Sequence, residues 1–218
     1  MKMKDELASV EKVTIPGKTI YRFSIYHRCL SRLHENTLDT VSSTTLAKAA
    51  GVNPSQLRRD LNYLGQFGTR GLGYPIAELQ EAIRQVLGRQ HLQPVILVGA
   101  GNLGSALLRY QGFQKEGFEV VAAFDAMPEL VVKRDIGVPV YHTERLREIM
   151  TRESVRLAIL CVPAEHAQEA ANDLVEAGIE GILSFSPLVL QVPDSVMVNR
   201  VDLAMELEQL SFFVRRED

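Results

Sequence analysis

Few folds are open to the stretch Pro94-Val-Ile-Leu-Val-Gly99-Ala100-Gly101-Asn102-Leu103-Gly104-Ser105-Ala106-Leu107. An unbroken apolar run, Val95 to Val98, ends in three glycines at GxGxxG spacing and is followed by a helical pattern. Continuous rather than alternating hydrophobicity marks a strand covered on both faces, as in a parallel sheet with crossover helices. Each glycine has its own reason. Gly99 allows a tight turn, Gly101 lets a pyrophosphate approach the backbone, and Gly104 lets helix and strand pack closely. Ala100, Asn102 and Leu103 complete the loop, where the helix N-terminus offers aligned N–H donors. A second apolar run ends at Phe124-Asp125, with Asp125 standing 21 residues after Gly104, where a carboxylate can accept hydrogen bonds from an adenosine ribose. Its charge disfavours a 2′-phosphate and no Arg follows it immediately, so the pattern reads NAD(H) rather than NADP(H). The other reading is a glycine-rich turn in an α/β protein that holds no nucleotide.

Further short apolar runs, Val120 to Phe124, Leu157 to Val162 and Gly181 to Phe185, alternate with helical stretches and extend the same parallel sheet. The segment before residue 93 differs. Residues 1–18 are polar and read as a poorly ordered arm; Phe23, Tyr26, Leu30 and Leu33 then recur at helical spacing, with Arg22, Ser24, Arg28 and Arg32 between them. Ser43 is a plausible N-cap for a short helix that turns Leu46, Ala47 and Ala50 inward and stops at Gly51. Asn53 caps the next helix, Pro54 suits its first position, and Leu57, Leu61 and Leu64 form its inner stripe. Two helices joined by a glycine turn make a helix-turn-helix, and Ser55, Gln56, Arg58, Arg59 and Asn62 are left facing outward. Arg forks suit guanine or phosphate, and Gln or Asn suit adenine. The plainer reading of that row is a solvated face of a protein-binding three-helix unit.

Residues 65–74 hold four glycines, too many for a helix, and place Thr69 and Arg70 at what reads as the tip of a hairpin, ending at Tyr74. Such a tip is a wing, from which Arg70 can reach a phosphate or a minor groove. Pro75 opens a helix bearing Ile76, Leu79, Ile83 and Val86, closed by Gly88, which reads as a bridge between modules. Charge supports two modules. Lys and Arg outnumber Asp and Glu by 11 to 7 over residues 1–78 and trail by 13 to 20 beyond, within a net charge of −3. The expected organisation is a winged-helix domain over 1–78, a Rossmann-like, doubly wound parallel sheet over 79–201, and a final helix over 202–218 carrying Leu203, Leu207 and Leu210.

Cys29 and Cys161 stand far apart without CxxC or Cys/His spacing, so no disulfide framework and no metal site is expected, and both read as buried thiols. The apolar runs are too short for a membrane span and no secretory h-region is present, which leaves the cytoplasm. Catalytic signals are thin. His166, just after a strand, is the one acid/base candidate; no GxSxG, HExxH or P-loop occurs.

A winged helix followed by an NAD-type Rossmann domain resembles the redox-sensing transcriptional repressor Rex family. The likeness is carried by Gln56-Leu-Arg-Arg-Asp-Leu-Asn-Tyr-Leu-Gly65, Phe67-Gly-Thr-Arg-Gly-Leu-Gly-Tyr74, Gly99 to Leu107, Tyr110-Gln-Gly-Phe113, Cys161-Val-Pro163, Gly181-Ile-Leu-Ser-Phe-Ser-Pro187 and Val201-Asp202-Leu203. The resemblance implies a homodimer on palindromic double-stranded operator DNA, its last helix domain-swapped into the partner, that lets go when NADH binds, while NAD⁺ competes weakly or favours the DNA-bound form. It also implies cofactor contacts at Cys161, Val162, Pro163, Ser184, Phe185, Ser186 and Tyr110, and DNA contacts at Tyr74 beside those read above. A switch is implied as well: Tyr110 bonded to Asp202 in the NADH form, and Arg28 paired with Asp202 in the other. Cys161 stands where members commonly have Thr, and Leu203 where some have Phe. Two other readings remain: a compact NAD-dependent oxidoreductase with His166 as its acid/base and the N-terminal unit as a dimerisation device, and a winged-helix repressor whose Rossmann domain holds another adenine nucleotide, such as a coenzyme A ester.

Overall fold

The structure, a computed structural model, describes residues 15–35, 38–65, 68, 72–131 and 136–214. Contacts divide the chain into two compact units, Met1–His91 and Leu92–Asp218.

In the first unit, α1 (Gly17–Glu35) buries Phe23, Tyr26 and Leu30 completely, as the helical spacing requires. α2 (Ser43–Ala49) and α3 (Pro54–Leu61) follow, joined at Gly51, whose φ of +66° is the left-handed turn glycine makes without strain. The cap of α2 is Ser42, one residue earlier than the sequence suggested: it has extended backbone and its side chain accepts from the Thr45 N–H at 3.0 Å. Asn53 caps α3 as expected, accepting from the Ser55 N–H. Leu46, Ala47 and Leu57 meet at full burial, where truncating either leucine to Ala costs about 2–5 kcal/mol.

The short strands β1 (Thr40–Val41) and β2 (Tyr74–Pro75) pair antiparallel, Thr40 opposite Pro75 and Val41 opposite Tyr74. The base of the wing is thus paired to a strand before α2, a long-range partner that the run 65–74 does not announce. Thr69 and Arg70, the expected tip, lie outside the described residues. α4 (Ile76–Val86) buries Ile76, Leu79 and Ile83 in the same core, so this helix belongs with the first unit, whereas the sequence placed the boundary after Glu78.

The second unit is a six-stranded parallel sheet. Its strands are β3 (Gln93–Val98), β4 (Phe118–Asp125), β5 (Val140–His142), β6 (Leu157–Leu160), β7 (Gly181–Ser184) and β8 (Met197–Arg200), in the order β5-β4-β3-β6-β7-β8. α5 (Asn102–Leu108), α6 (Gly112–Lys115), α7 (Pro128–Val131), α8 (Leu146–Glu153) and α9 (Ala164–Glu176) connect them. Side chains alternate between the faces: Ile96, Val98, Ala122, Phe124, Ala158 and Leu160 join one buried cluster, and Val95, Leu97, Ala123 and Ile159 the other. That double burial is the continuous hydrophobicity of the runs. β5 and β8 escaped the sequence reading because they are short edge strands without a buried residue.

α10 (Leu203–Val214) closes the described chain and has no buried residue, although Leu203, Leu207, Leu210, Phe212, Phe213 and Val214 are each more than half exposed. Among the described residues no helix is long and apolar enough to cross a membrane.

Candidate cofactor crevice and nucleic-acid interface

Strand order reverses between β3 and β6, and a crevice opens beyond their C-terminal ends, where doubly wound sheets bind ligands. It has a volume of about 590 Å³, and Gly99, Ala100, Gly101, Asp125, Cys161, Val162 and Pro163 line it. Thus β3, β4 and β6 each deliver a predicted segment to one place.

Gly99 and Gly104 act as their spacing suggested. Gly99 has φ +91°, and a Cβ there would stand 2.7 Å from the Cys161 carbonyl carbon. A Cβ on Gly104 would overlap the Gly99 carbonyl oxygen, so helix and loop meet backbone to backbone. Gly101 differs: a Cβ there meets nothing within 4 Å, so its freedom serves no contact within the chain, and the open space above it is what a pyrophosphate would use. Asn102 and Leu103 open α5 and are exposed. Ser105, which was read only as part of the resemblance, locks the loop: it is buried and its hydroxyl donates to the Ala100 carbonyl at 2.7 Å.

Asp125 ends β4 half-buried, its two oxygens accepting from the Ala100 and Met127 N–H groups at 2.9 Å each. Each oxygen retains a lone pair that a ribose hydroxyl could occupy. Glu169, Asp173 and His166 on α9 add a titratable wall. Burial, then Glu169 and Glu176, push the Asp173 carboxyl above its ordinary value. The Cys161 thiol is pushed up to about 12 by burial, so it is a neutral apolar surface rather than a nucleophile. Cys161 is half-buried rather than buried, while Cys29 is buried as expected.

The glycine loop, Asp125 and the Cys161–Pro163 loop therefore fit a dinucleotide. Ser184 and Ser186 are buried instead and bond within their own loop, accepting from the Ser186 and Leu188 N–H groups; neither lines the crevice. Phe185 packs into the sheet's second cluster. Tyr110 is 60% exposed, its ring lying over Gly112 and edge-on to Phe113, and Asp202 caps α10 by accepting from the Ala204 and Met205 N–H groups. Arg28 is exposed on α1, in the other unit.

On α3, Ser55, Arg58 and Arg59 are exposed as expected, as is Asn62 just after its end. Arg58 donates to the Ser43 hydroxyl at 3.3 Å, and Ser55 donates to the Asn53 side chain. Gln56 is only half-exposed. Its amide nitrogen donates to Asp60 Oδ1 at 2.9 Å, and its amide oxygen accepts from Arg59 Nη2 at 3.0 Å. Tyr74 packs partly against the core of this unit.

Sequence reasoning missed the centre of this arrangement. Asp60 is 1% exposed and accepts from Arg22 at 2.6 and 2.7 Å, from the buried Tyr26 hydroxyl at 2.7 Å, from Thr19 at 3.3 Å and from Gln56. Burial works to raise its carboxyl, but the bonds from Arg22, Tyr26 and Gln56 outweigh it and hold the group below its ordinary value. Burial, then the bond to Asp60, push the Tyr26 phenol upward. The available signal was position: Asp60 sits on the Leu57–Leu61 stripe, and Arg22 and Tyr26 are one turn apart on α1.

Comparison with known proteins adds the following. Residues 14–62 match the family model "Putative DNA-binding protein N-terminus" and residues 90–188 the "CoA binding domain" model. The chain is 42% identical over 203 residues to the redox-sensing transcriptional repressor Rex of Pelotomaculum thermopropionicum, covering 93% of this chain and 95% of that protein. It is similar to two crystal structures of RSP, a Rex-family repressor. One is in complex with β-NAD⁺ and operator DNA, with TM-score 0.87 and 37% identity over 94% of this chain and 95% of that one. The other is in complex with β-NADH, with TM-score 0.82 and 36% identity over 94% and 97%.

Proposed function

The chain belongs to the redox-sensing transcriptional repressor Rex family, and from that premise we propose that it binds palindromic operator DNA as a homodimer and releases it when NADH fills the crevice at the β3–β6 reversal. One observation carries the reading: a helix-turn-helix unit and a dinucleotide-type crevice occur in one chain whose relatives match over nearly its whole length. We assign base and phosphate contacts to Ser55, Arg58 and Arg59 on α3, to Asn62 at its C-terminal end, and to Thr69 and Arg70 of the wing.

The glycine loop from Gly99 to Gly104 holds the pyrophosphate, and Asp125 the adenosine ribose. When bound, the reduced dinucleotide presents an uncharged nicotinamide where the oxidised one carries a positive charge. Val162, Pro163 and the neutral Cys161 thiol offer no counter-charge to a cation, so a nicotinamide seated against this wall, away from Glu169 and Asp173 on α9, is favoured in its reduced, uncharged form. Tyr110 and Asp202 bond in the NADH-loaded dimer and Arg28 takes Asp202 in the operator-bound one; α10, exposed along its length, is the helix exchanged between subunits.

The match to a CoA binding domain supports a second reading, a coenzyme A ester in the crevice. Asp125 weighs against it, because coenzyme A carries a phosphate on the adenosine ribose that a carboxylate at the end of β4 would repel. The test is fluorescence anisotropy on a labelled palindromic operator titrated with NADH, NAD⁺, NADPH and acetyl-coenzyme A. Release by NADH alone, or by NADH far below the others, is expected; operator held equally tightly with and without NADH would sink the proposal.

A further inference from the structure

Two arginines stand side by side on the exposed face of α3, but only one of them is tied to the buried centre of the unit. Arg59 donates to Gln56, Gln56 donates to Asp60, and Asp60 is held from α1 by Thr19, Arg22 and Tyr26. The i, i+3 step from Gln56 to Arg59 and the i, i+4 step from Gln56 to Asp60 are spacings at which side chains on a helix meet.

We propose that Gln56 is a positioning residue, not a reader of bases: it transmits the fixed orientation of the buried Asp60 carboxylate to Arg59, which reaches the operator already aimed. This rests on the operator-binding function proposed above.

The chemistry singles out glutamine. A side chain that must donate to a carboxylate and accept from a guanidinium at the same time needs an N–H₂ and a C=O on one short plane, which an amide has. Glutamate has no donor for Asp60, and lysine or arginine no acceptor for Arg59. The carboxylate end is anchored because Asp60 is 1% exposed and carries five side-chain donors' bonds, so it has one orientation. An arginine restrained before contact gives up less side-chain freedom on binding than one that samples its full rotamer range. Gln56 already has one N–H and one carbonyl lone pair engaged within the unit and is half out of solvent, so turning its amide edge to a base would mean giving up bonds that it makes here.

A double-mutant cycle in the full-length protein tests this, with operator affinity read by anisotropy at fixed salt for wild type, Gln56→Ala, Arg59→Ala and the pair. Alone, Q56A should weaken operator binding about tenfold, as loss of one good contact does. In the R59A background the same change should do almost nothing, because there is no longer an arginine to aim. NADH binding of Q56A should match wild type, and although losing the bond to Asp60 lowers its melting temperature, the loss of operator affinity should persist at temperatures where Q56A is fully folded; a merely structural role would weaken operator binding just as much in the R59A background. If Q56A keeps half or more of its logarithmic penalty in the R59A background, Gln56 touches the operator itself and the relay is wrong. A Q56A penalty below about twofold in otherwise wild-type protein overturns it equally. Wild-type operator binding, reversed by NADH in the same titration, separates this from the underlying function: its absence would count against the repressor reading and not the relay.

Discussion

Asp60 shows how much one position can carry. A buried carboxylate with an arginine partner is strongly destabilising to break, because removing the charge leaves Arg22 partly desolvated and uncompensated. Asp60→Asn should cost on the order of 3 kcal/mol, at the lower end for buried pairs since 22% of the Arg22 side chain still reaches water. Thermal denaturation would read it; an unchanged melting temperature would count against the network. The acid limb follows from the same bonds. The Asp60 carboxyl is held below its ordinary value in the fold, so its contribution is complete above the unfolded value of about 4 and disappears as pH falls through the lower, folded one. Wild type should lose stability below about pH 4 more steeply than D60N does. Gly104 gives a second residue-scale expectation: Gly104→Ala forces a methyl into the Gly99 carbonyl oxygen, so NADH binding should fall by at least tenfold while operator binding persists, measured by cofactor fluorescence. At this scale the sequence was legible where backbone demands glycine and illegible where a polar residue is buried. Gln56 reads as a surface side chain and Asp60 gives no signal of its own, because the α1 partners that anchor Asp60, Arg22 and Tyr26, lie far along the chain and Gln56 is tied to them only through Asp60.

Elements were legible according to how completely they are covered. β3, β4, β6 and β7 are apolar runs because both faces of the sheet are packed, and α1 and α3 show their stripes because each has one face in a core. β5 and β8 lie at the edges, where neither signal is required, and β1 with β2 is a two-residue pair set by distant chain. α10 is the opposite case. Its helical spacing was plain, yet within the described chain its apolar side chains remain uncovered, and a helix so apolar is stable in water only when another surface covers it. Replacing Leu207 and Leu210 by Asp should shift the protein from dimer to monomer in sedimentation velocity and abolish operator binding. A double variant that stays dimeric would mean that α10 is not the exchanged helix.

For the molecule as a whole, the division at His91/Leu92 separates the unit to which operator contacts are assigned above from the one that holds the crevice. If occupancy of one weakens the other, linkage makes the weakening reciprocal: the factor by which saturating NADH lowers operator affinity is the factor by which saturating operator lowers NADH affinity. NADH affinity should therefore fall when operator is present, and an NADH affinity unchanged by operator would show that the two sites are not coupled. Two modules with different charge balance were readable from composition and motif, whereas the place where they divide was not, since α4 looks like a connector until its buried stripe is seen. The floor of the crevice has a last consequence. Gly99 and Cys161 abut through their main chains, and the Gly99 and Cys161 N–H groups are stitched to Phe124 and Val98, so three strand ends form one inextensible seam. A seam of that kind has little room to give against an incoming nicotinamide, so any accommodation between the oxidised and reduced rings falls to the rest of the lining, which α7 and α9 supply.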